Sequence, residues 1–135
     1  MDSDTLRDAG LRVTGPRIAV LDAVGRAPHA TADAVLTEVR RTLPTVSVQA
    51  VYDVLHALTD ARLLRCIEPA GHPARYERRV GDNHHHVVCQ GCGAIDDVDC
   101  AVGPSPCLTP SSTGGFTVET AEVTYWGLCP DCQGA

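Results

Sequence analysis

The stretch SVQAVYDVLHAL, residues 47–58, decides how the first half of the chain folds. Apolar side chains recur in it at helical spacing and would share one face of a helix: Val48, Val51, Leu55 and Leu58. Ser47 stands where a hydroxyl caps the N-terminus of such a helix. The polar residues lie off the apolar stripe and face outward: Gln49, Tyr52, Asp53 and His56. The sequence therefore predicts an amphipathic helix with a polar outer face.

Further elements flank this helix on both sides. Two helices are predicted before it, one after Thr14 and one after Thr31 over residues 32 to about 43. After it, residues 63–67 and 74–77 have the pattern of two strands joined by a turn. Helices followed by a hairpin describe a winged helix-turn-helix, whose third helix is the natural candidate to enter a DNA major groove. Such arrangements also serve other functions, and the outward polar residues could simply be solvated, so the pattern alone leaves DNA binding open.

The second half of the chain has the alternation of a sheet from about residue 81. Strands are predicted over residues 84–89, 94–98, 116–119 and 122–126, with a loop over residues 102–115. A β unit this small, with so few aromatic residues, lacks the core needed to fold alone. It needs a covalent or metal cross-link.

Two Cys-x-x-Cys motifs supply the ligands for such a cross-link. Cys89 and Cys92 form the first motif, and Cys129 and Cys132 form the second, with 36 residues between Cys92 and Cys129. Four cysteines in two such motifs are typical of a tetrahedral structural Zn²⁺ site, and the glycine after Cys92 permits the tight turn that the site needs. A redox-active pair is the competing interpretation, but that function needs one pair in a βαβ setting rather than two.

A histidine tract precedes the first motif. On a strand, His84 and His86 share one face and could chelate one ion, while His85 points to the other face. Carboxylate or imidazole donors at Glu77, His29 and Asp97 would complete a mixed nitrogen and oxygen set, which suits Fe²⁺, Mn²⁺, Ni²⁺ or a second Zn²⁺. The alternative is an exposed histidine-rich linker that binds metal opportunistically.

Charge divides the chain into the same two parts. All 11 basic residues are arginines within residues 1–80, whereas residues 81–135 contain only acidic charges, and the net charge is −6. An anionic partner is therefore expected to bind the first half of the chain.

No apolar stretch approaches the length of a membrane span and the N-terminus lacks the pattern of a signal peptide, so we expect a cytoplasmic protein without a membrane partner. Seven cysteines in a cytoplasmic chain of 135 residues favour metal binding over disulfides.

Together these motifs resemble the Fur superfamily of metal-dependent repressors over almost the whole chain. The matching segments are residues 11–17, 29–33 and 47–52, the tract at 84–86 and both cysteine motifs. Within the superfamily the chain is most similar to the actinobacterial Fur-type and catalase-regulating branch, which contains PerR-like peroxide sensors. The resemblance implies an α+β fold, with a winged helix over residues 1–79 and a small, mainly β dimerisation domain with a Cys₄ zinc site over residues 80–135.

The resemblance also implies roles for individual residues. The regulatory ligands fall on His29, Glu77, His84, His86 and Asp97, and the metal would be Fe²⁺ or Mn²⁺. The DNA contacts fall on Arg17, Gln49 and Tyr52, with Arg12 as a further phosphate contact.

Some residues depart from the family pattern. At Asp53, many members carry a cation or an amide. Cys66, Cys100 and Cys107 lie outside the zinc set; Cys66 is expected to be a buried apolar side chain, and Cys100 and Cys107 to be redox thiols.

The function expected from these observations is a peroxide-responsive repressor that binds double-stranded operator DNA as a homodimer. The alternative is an iron, zinc or nickel homeostasis regulator of the same fold without peroxide sensing. A zinc-dependent hydrolase is disfavoured, because the paired histidines lack a glutamate at helical spacing and no lining for a small organic substrate is evident. We therefore expect no enzymatic activity.

Overall fold

A computed structural model describes residues 2–78, 84–99, 111–118 and 122–134. The chain divides into two compact units, Met1–Val80 and Gly81–Ala135. The first unit contains α1 (Asp2–Asp8), α2 (Gly15–Arg26), β1 (Ala30–Thr31), α3 (Ala32–Val39), α4 (Val48–Asp60), β2 (Arg65–Ile67) and β3 (Arg75–Glu77). The second contains β4 (His84–Cys89), β5 (Ile95–Asp99), β6 (Thr124–Gly127) and α5 (Pro130–Gln133). The α+β fold class is confirmed.

Three hydroxyl side chains start the three long helices, as predicted. Thr14 Oγ1 accepts from the backbone N–H of Arg17 at 3.3 Å, and Thr31 Oγ1 accepts from Ala34 at 3.2 Å. Ser47 Oγ accepts from the backbone N–H of Ala50 at 3.0 Å, which starts α4 at Val48. Each cap satisfies a backbone donor that has no partner within its helix and contributes about 1 kcal/mol.

The second predicted helix is shorter than its apolar pattern indicates. It ends at Val39 rather than near residue 43, and a turn follows in which the backbone N–H of Leu43 donates to Val39 O at 2.9 Å. Pro44 disfavours the helical conformation at the residue before it, and Thr42 Oγ1 donates to Val39 O at 3.3 Å. The apolar stripe continues through the turn because Leu43 still packs against the core.

The wing is a three-stranded sheet in the order β1-β3-β2. The predicted hairpin is confirmed, although its strands are shorter than expected, and Cys66 lies opposite Tyr76. The two-residue strand β1, which the sequence did not predict, pairs antiparallel with β3 and places Ala30 opposite Tyr76. This pairing brings the start of α3 against the strand that ends in Glu77.

One apolar core fills the first unit. Its buried side chains come from all four helices, the segment before β2, and β3: Leu6, Val20, Leu21, Val24, Val35, Val39, Val51, Leu55, Leu58, Leu64 and Tyr76. The short helix α1, which the sequence also did not predict, contributes Leu6 to this core. Packing of α2, α3 and α4 around it leaves the polar face of α4 exposed, as the pattern over residues 47–58 predicts.

The second unit is built on a sheet with the order β5-β4-β6. β4 pairs antiparallel with β5 and parallel with β6. The strand predicted over residues 116–119 is wrong for residues 116–118, which form no strand, and residue 119 lies outside the described residues. Gly114 and Gly115 form a turn with positive φ, and Phe116 is 79% exposed. Among the strands that the structure describes, none pairs with this segment. Of the predicted loop, residues 102–110 also lie outside the described residues.

Within the described residues, no helix combines the length and the apolar composition that crossing a membrane requires.

We predict that Leu55→Ala destabilises the chain by about 2–5 kcal/mol, because it removes a fully buried side chain at the centre of the helical core. Val48→Ala on the same helix is the matched control, since Val48 is 47% exposed and its truncation should cost less than about 1 kcal/mol. Urea denaturation followed by circular dichroism measures both free energies of unfolding. Equal losses in the two variants would contradict this assignment of the core.

Candidate metal centres and nucleic-acid interface

Four cysteine side chains converge at one end of the second sheet. Cys89 ends β4, Cys92 lies in the following turn, Cys129 precedes α5 and Cys132 lies within it. Their sulfur atoms all lie within 4.8 Å of one another, and Cys92 Sγ and Cys129 Sγ are 3.7 Å apart. Two thiolates on a tetrahedral Zn²⁺ would be about 3.8 Å apart, given a Zn–S bond of about 2.3 Å. The cluster therefore has the donor chemistry and the spacing of a structural zinc site.

Backbone donors stabilise negative charge within this cluster. The N–H of Cys129 donates to Cys89 Sγ at 3.3 Å and the N–H of Cys92 donates to the same sulfur at 3.5 Å, which lowers the pKa of Cys89 to about 6. Hydrogen bonds with the neighbouring thiols of Cys129, Cys89 and Cys92 raise the pKa of Cys132 to about 12. Four thiols this close cannot all ionise unless a cation neutralises them.

Two glycines make room for the first cysteine motif. A Cβ at Gly91 would lie 3.0 Å from Cys132 Sγ and 3.6 Å from Cys89 Sγ, so only a residue without a side chain fits there comfortably. Gly93 has φ of +79°, a conformation that glycine adopts without strain. The glycine after Cys92 thus serves the turn that the sequence predicted.

A second pair of donors lies within the first unit. His29 follows α2, and its Nε2 lies 3.1 Å from Glu77 Oε2 at the end of β3. His29 is 8% exposed and Glu77 is 1% exposed. Two adjacent nitrogen and oxygen ligands on an octahedral divalent ion would be about 3.0 Å apart, given bonds of about 2.1 Å. The pair therefore has the spacing of two neighbouring metal ligands, and both residues are among those that the family resemblance selects.

The backbone holds His29 in an unusual conformation. Its φ is +68°, in the left-handed region that non-glycine residues seldom occupy. Its N–H donates to Tyr76 O at 2.9 Å, and its carbonyl oxygen accepts from Arg75 Nη1 at 3.0 Å. These bonds offset the strain and fix the imidazole beside Glu77, which is the kind of preorganisation often found at functional sites.

Sequence reasoning missed two arginines near this pair. Arg65 lies opposite Glu77 in the β2-β3 register, and its Nη1 is 4.0 Å from Glu77 Oε1. Arg75 lies two residues before Glu77 and bonds the His29 backbone. The register of the hairpin could have identified Arg65, because it sets which residue stands opposite Glu77. Arg75 could have been found from strand alternation, which places it on the same face of β3 as Glu77.

A third group of donors lies in the second unit. His86 and Asp97 are register partners in the β4-β5 pair, and His86 Nε2 is 3.4 Å from Asp97 Oδ1. His86 is 2% exposed. Asp96, one residue earlier, pairs with Val87 and is exposed, so Asp97 is the carboxylate that stands beside His86. The side chain of His84 lies outside the described residues.

The predicted DNA contacts lie in the first unit. Arg17 Nη1 donates to Arg12 O at 2.8 Å, which places the two arginines side by side at the start of α2. Both line a cavity of about 370 Å³ whose other wall includes Asp53 of α4. Gln49 and Tyr52 lie on the exposed face of α4. These positions suit a face that meets nucleic acid, with two cations beside an exposed helix.

The remaining cysteines divide into two cases. Cys66 is half-buried against the core rather than buried as expected, because it lies on β2, an edge strand of the wing; its Sγ lies 3.8 Å from Glu68 Oε1. Cys100 and Cys107 lie outside the described residues, so their predicted redox role stays a prediction.

Comparisons with known proteins agree with one another. Residues 8–124 match the model of the ferric uptake regulator family. Over 131 residues, 97% of this chain and 89% of the relative, the sequence is 63% identical to the transcriptional regulator FurA of Mycobacterium tuberculosis. It is 27% identical over 131 residues to the peroxide operon regulator of Bacillus subtilis, covering 96% and 90% of the two chains. The structure of the ferric uptake regulator of Francisella tularensis with iron has a similar fold, with a TM-score of 0.72 and 21% identity over 92% of this chain and 96% of that one.

We predict that Cys92→Ser abolishes stoichiometric zinc binding and unfolds the second unit, since binding free energy is folding free energy in so small a unit. Cys66→Ser is the matched control, because that thiol lies in the wing and outside the cluster. Elemental analysis and the thermal unfolding of purified protein measure both effects. A folded Cys92→Ser protein with full zinc content would show that the four thiols are not a structural zinc site.

Proposed function

We infer the function of this chain from its family, because the chain belongs to the ferric uptake regulator family. It is a metal-dependent transcriptional regulator and not an enzyme. Our proposal is that it represses transcription as a homodimer that binds double-stranded operator DNA when Fe²⁺ or Mn²⁺ occupies a regulatory site. Zn²⁺ at Cys89, Cys92, Cys129 and Cys132 holds the second unit together.

One observation carries the regulatory part of this proposal: each unit contributes a buried histidine with a carboxylate beside it. Glu77 is buried like the two histidines, and Asp97 is half-buried. The first unit supplies His29 and Glu77, and the second supplies His86 and Asp97. Two donors are too few for a tightly held divalent ion, which takes four to six ligands. We propose that one ion takes both pairs, with His84 as a further donor two residues before His86 on β4.

Nitrogen and oxygen donors without thiolate determine which metals fit. Imidazole and carboxylate ligands suit Fe²⁺ and Mn²⁺, whereas Zn²⁺ binds preferentially to the thiolates of the four cysteines. The iron bound to the Francisella tularensis regulator and the name of the family favour Fe²⁺ here. The alternative is a zinc or nickel regulator of the same fold, which the metal content of anaerobically purified protein distinguishes.

An ion shared by the two units would select one relative orientation of them. Without the ion, many orientations are accessible, and the affinity for operator DNA falls with the fraction of molecules in the competent one. In a dimer, the competent orientation is the one that spaces two α4 helices to meet successive major-groove faces. The residues of this chain thus act by binding the ion and by fixing where α4 lies.

The DNA-binding side of the proposal assigns two kinds of contact. Arg12 and Arg17 neutralise phosphates beside α2, and Gln49 and Tyr52 reach base edges from the exposed face of α4. The second unit carries only acidic charges in residues 81–135 and stays away from the DNA.

Dimerisation would explain why large apolar side chains of the second unit are exposed in the single chain. In its described part, large apolar side chains are exposed on β6, directly after it and in the segment 116–118: Tyr125, Trp126, Leu128, Phe116 and Val118. A partner copy that covers them would remove this surface from water.

Peroxide sensing is the finer part of the proposal, supported by the relationship to the peroxide operon regulator of Bacillus subtilis. Bound Fe²⁺ would supply the reducing electron for peroxide next to the imidazole ligands. Peroxide would be the oxidant: one of its oxygen atoms would be added to an imidazole ring carbon and the other would leave as water. The oxidised ring would no longer be a donor, and the DNA would be released.

We predict that His29→Ala and His86→Ala each abolish metal-dependent DNA binding while the zinc content stays unchanged. Losing a residue that merely orients a ligand costs about 10–100-fold in metal affinity, and losing a ligand costs at least as much. His72→Ala is the control, since this histidine lies in the turn of the wing, outside both pairs. Titration of operator DNA with Mn²⁺ present measures the effect, and full metal dependence in His29→Ala would exclude the shared ion.

We also predict that peroxide treatment of the Fe²⁺-loaded protein adds oxygen to His29, His84 or His86 and abolishes DNA binding irreversibly. The Mn²⁺-loaded protein is the control and should stay unmodified. Peptide mass spectrometry measures the modification. Recovery of binding with dithiothreitol, together with a mass change confined to Cys100 and Cys107, would replace the histidine switch with a thiol switch.

A further inference from the structure

A carboxylate stands on the exposed face of the helix that is proposed to read DNA. Asp53 lies one turn after Gln49 on α4, and Gln49 Nε2 donates to Asp53 Oδ1 at 2.8 Å. Both side chains are exposed, and neither contributes to the apolar core. We propose that Asp53 determines operator specificity by accepting a hydrogen bond from the exocyclic amino group of a cytosine in the major groove. This inference rests on the DNA-binding function proposed above.

The chemistry of a carboxylate restricts which base it can meet. An ionised aspartate only accepts hydrogen bonds, so it needs a donor on the base edge. Guanine presents two acceptors in the major groove and thymine presents one, and both would repel the carboxylate. Adenine presents an amino group beside the acceptor N7, whereas cytosine presents its N4 amino group without an adjacent acceptor. Cytosine is therefore the base that suits Asp53 best.

The surroundings of Asp53 explain how a negative charge is tolerated on such a face. An anion that approaches phosphates weakens binding to every DNA sequence. Asp53 lines the cavity of about 370 Å³ that Arg12 and Arg17 also line. The positive charges of these two arginines on the same surface would offset part of the repulsion. Binding free energy is then lost only where the base that faces Asp53 cannot donate a hydrogen bond to the carboxylate. Such losses on the wrong sequences generate specificity for the right one.

The bond between Gln49 and Asp53 links two base contacts. Gln49 uses one amide hydrogen for Asp53, which leaves its second N–H and its Oε1 for an adenine edge. Four residues along a helix span about 6 Å, and successive base pairs are about 3.4 Å apart. The cytosine read by Asp53 therefore lies within about two base pairs of the base read by Gln49.

Selection of duplexes from a random DNA library tests this inference on the zinc-replete full chain with Mn²⁺ present. The wild-type protein is compared with Asp53→Asn, which preserves shape and can still accept from Gln49. Asp60→Asn is the matched control, because it makes the same charge change near the end of the same helix. Thermal unfolding monitored by circular dichroism verifies that all three proteins are folded.

We expect the wild-type protein and Asp60→Asn to select a cytosine at one position of each half-site, and Asp53→Asn to lose that preference. Replacing this C·G pair by T·A should weaken wild-type binding roughly 10-fold and Asp53→Asn binding less than twofold. Unchanged base preference in Asp53→Asn would overturn the inference and leave Asp53 as a partner of Gln49 that only stabilises the helix. A wild-type protein that selects no sequence would overturn the proposed function together with it.

Discussion

The convergence of four cysteine thiols is the constraint on which the second unit depends. The apolar core of the molecule lies in the first unit, while in the described part of the second only Val88 and Cys89 are buried apolar residues. A three-stranded sheet with so little buried apolar surface cannot offset the entropy of ordering its chain. Zn²⁺ bound by all four thiols would supply that free energy. The position of His86 on β4 then depends on the same ion, because β4 ends at Cys89.

Local signals predicted most of the fold, whereas long-range pairing escaped them. Ser47 and its capping bond to Ala50 follow from residue type and spacing, and so does the amphipathic helix α4. The two-residue strand β1 has no periodicity of its own, because it exists only through its pairing with β3. The same cause explains the wrong strand at residues 116–118: the alternation there satisfies a strand pattern, but none of the described strands pairs with this segment.

The two metal sites differ in how far the sequence alone could predict them. The cysteine motifs carry their ligand spacing in the sequence, so the four thiols were recognised from chemistry alone. His29 and Glu77 are 48 residues apart, and only the family resemblance and the mixed donor chemistry selected them. Their pairing depends on the left-handed backbone of His29 and on its bond to Tyr76, which no local pattern predicts. Arg65 beside Glu77 could be recognised only once the hairpin register was known.

We propose that one regulatory ion takes ligands from both units. X-ray absorption spectroscopy on the Mn²⁺-loaded, zinc-replete protein, recorded at the manganese edge, tests it most directly when the wild-type protein is compared with His29→Ala. A shared ion should have nitrogen and oxygen ligands without sulfur in the wild-type protein, including imidazoles from His29, His84 and His86, and should lose one imidazole in the variant. A sulfur ligand, or identical manganese spectra for the two proteins, would contradict it.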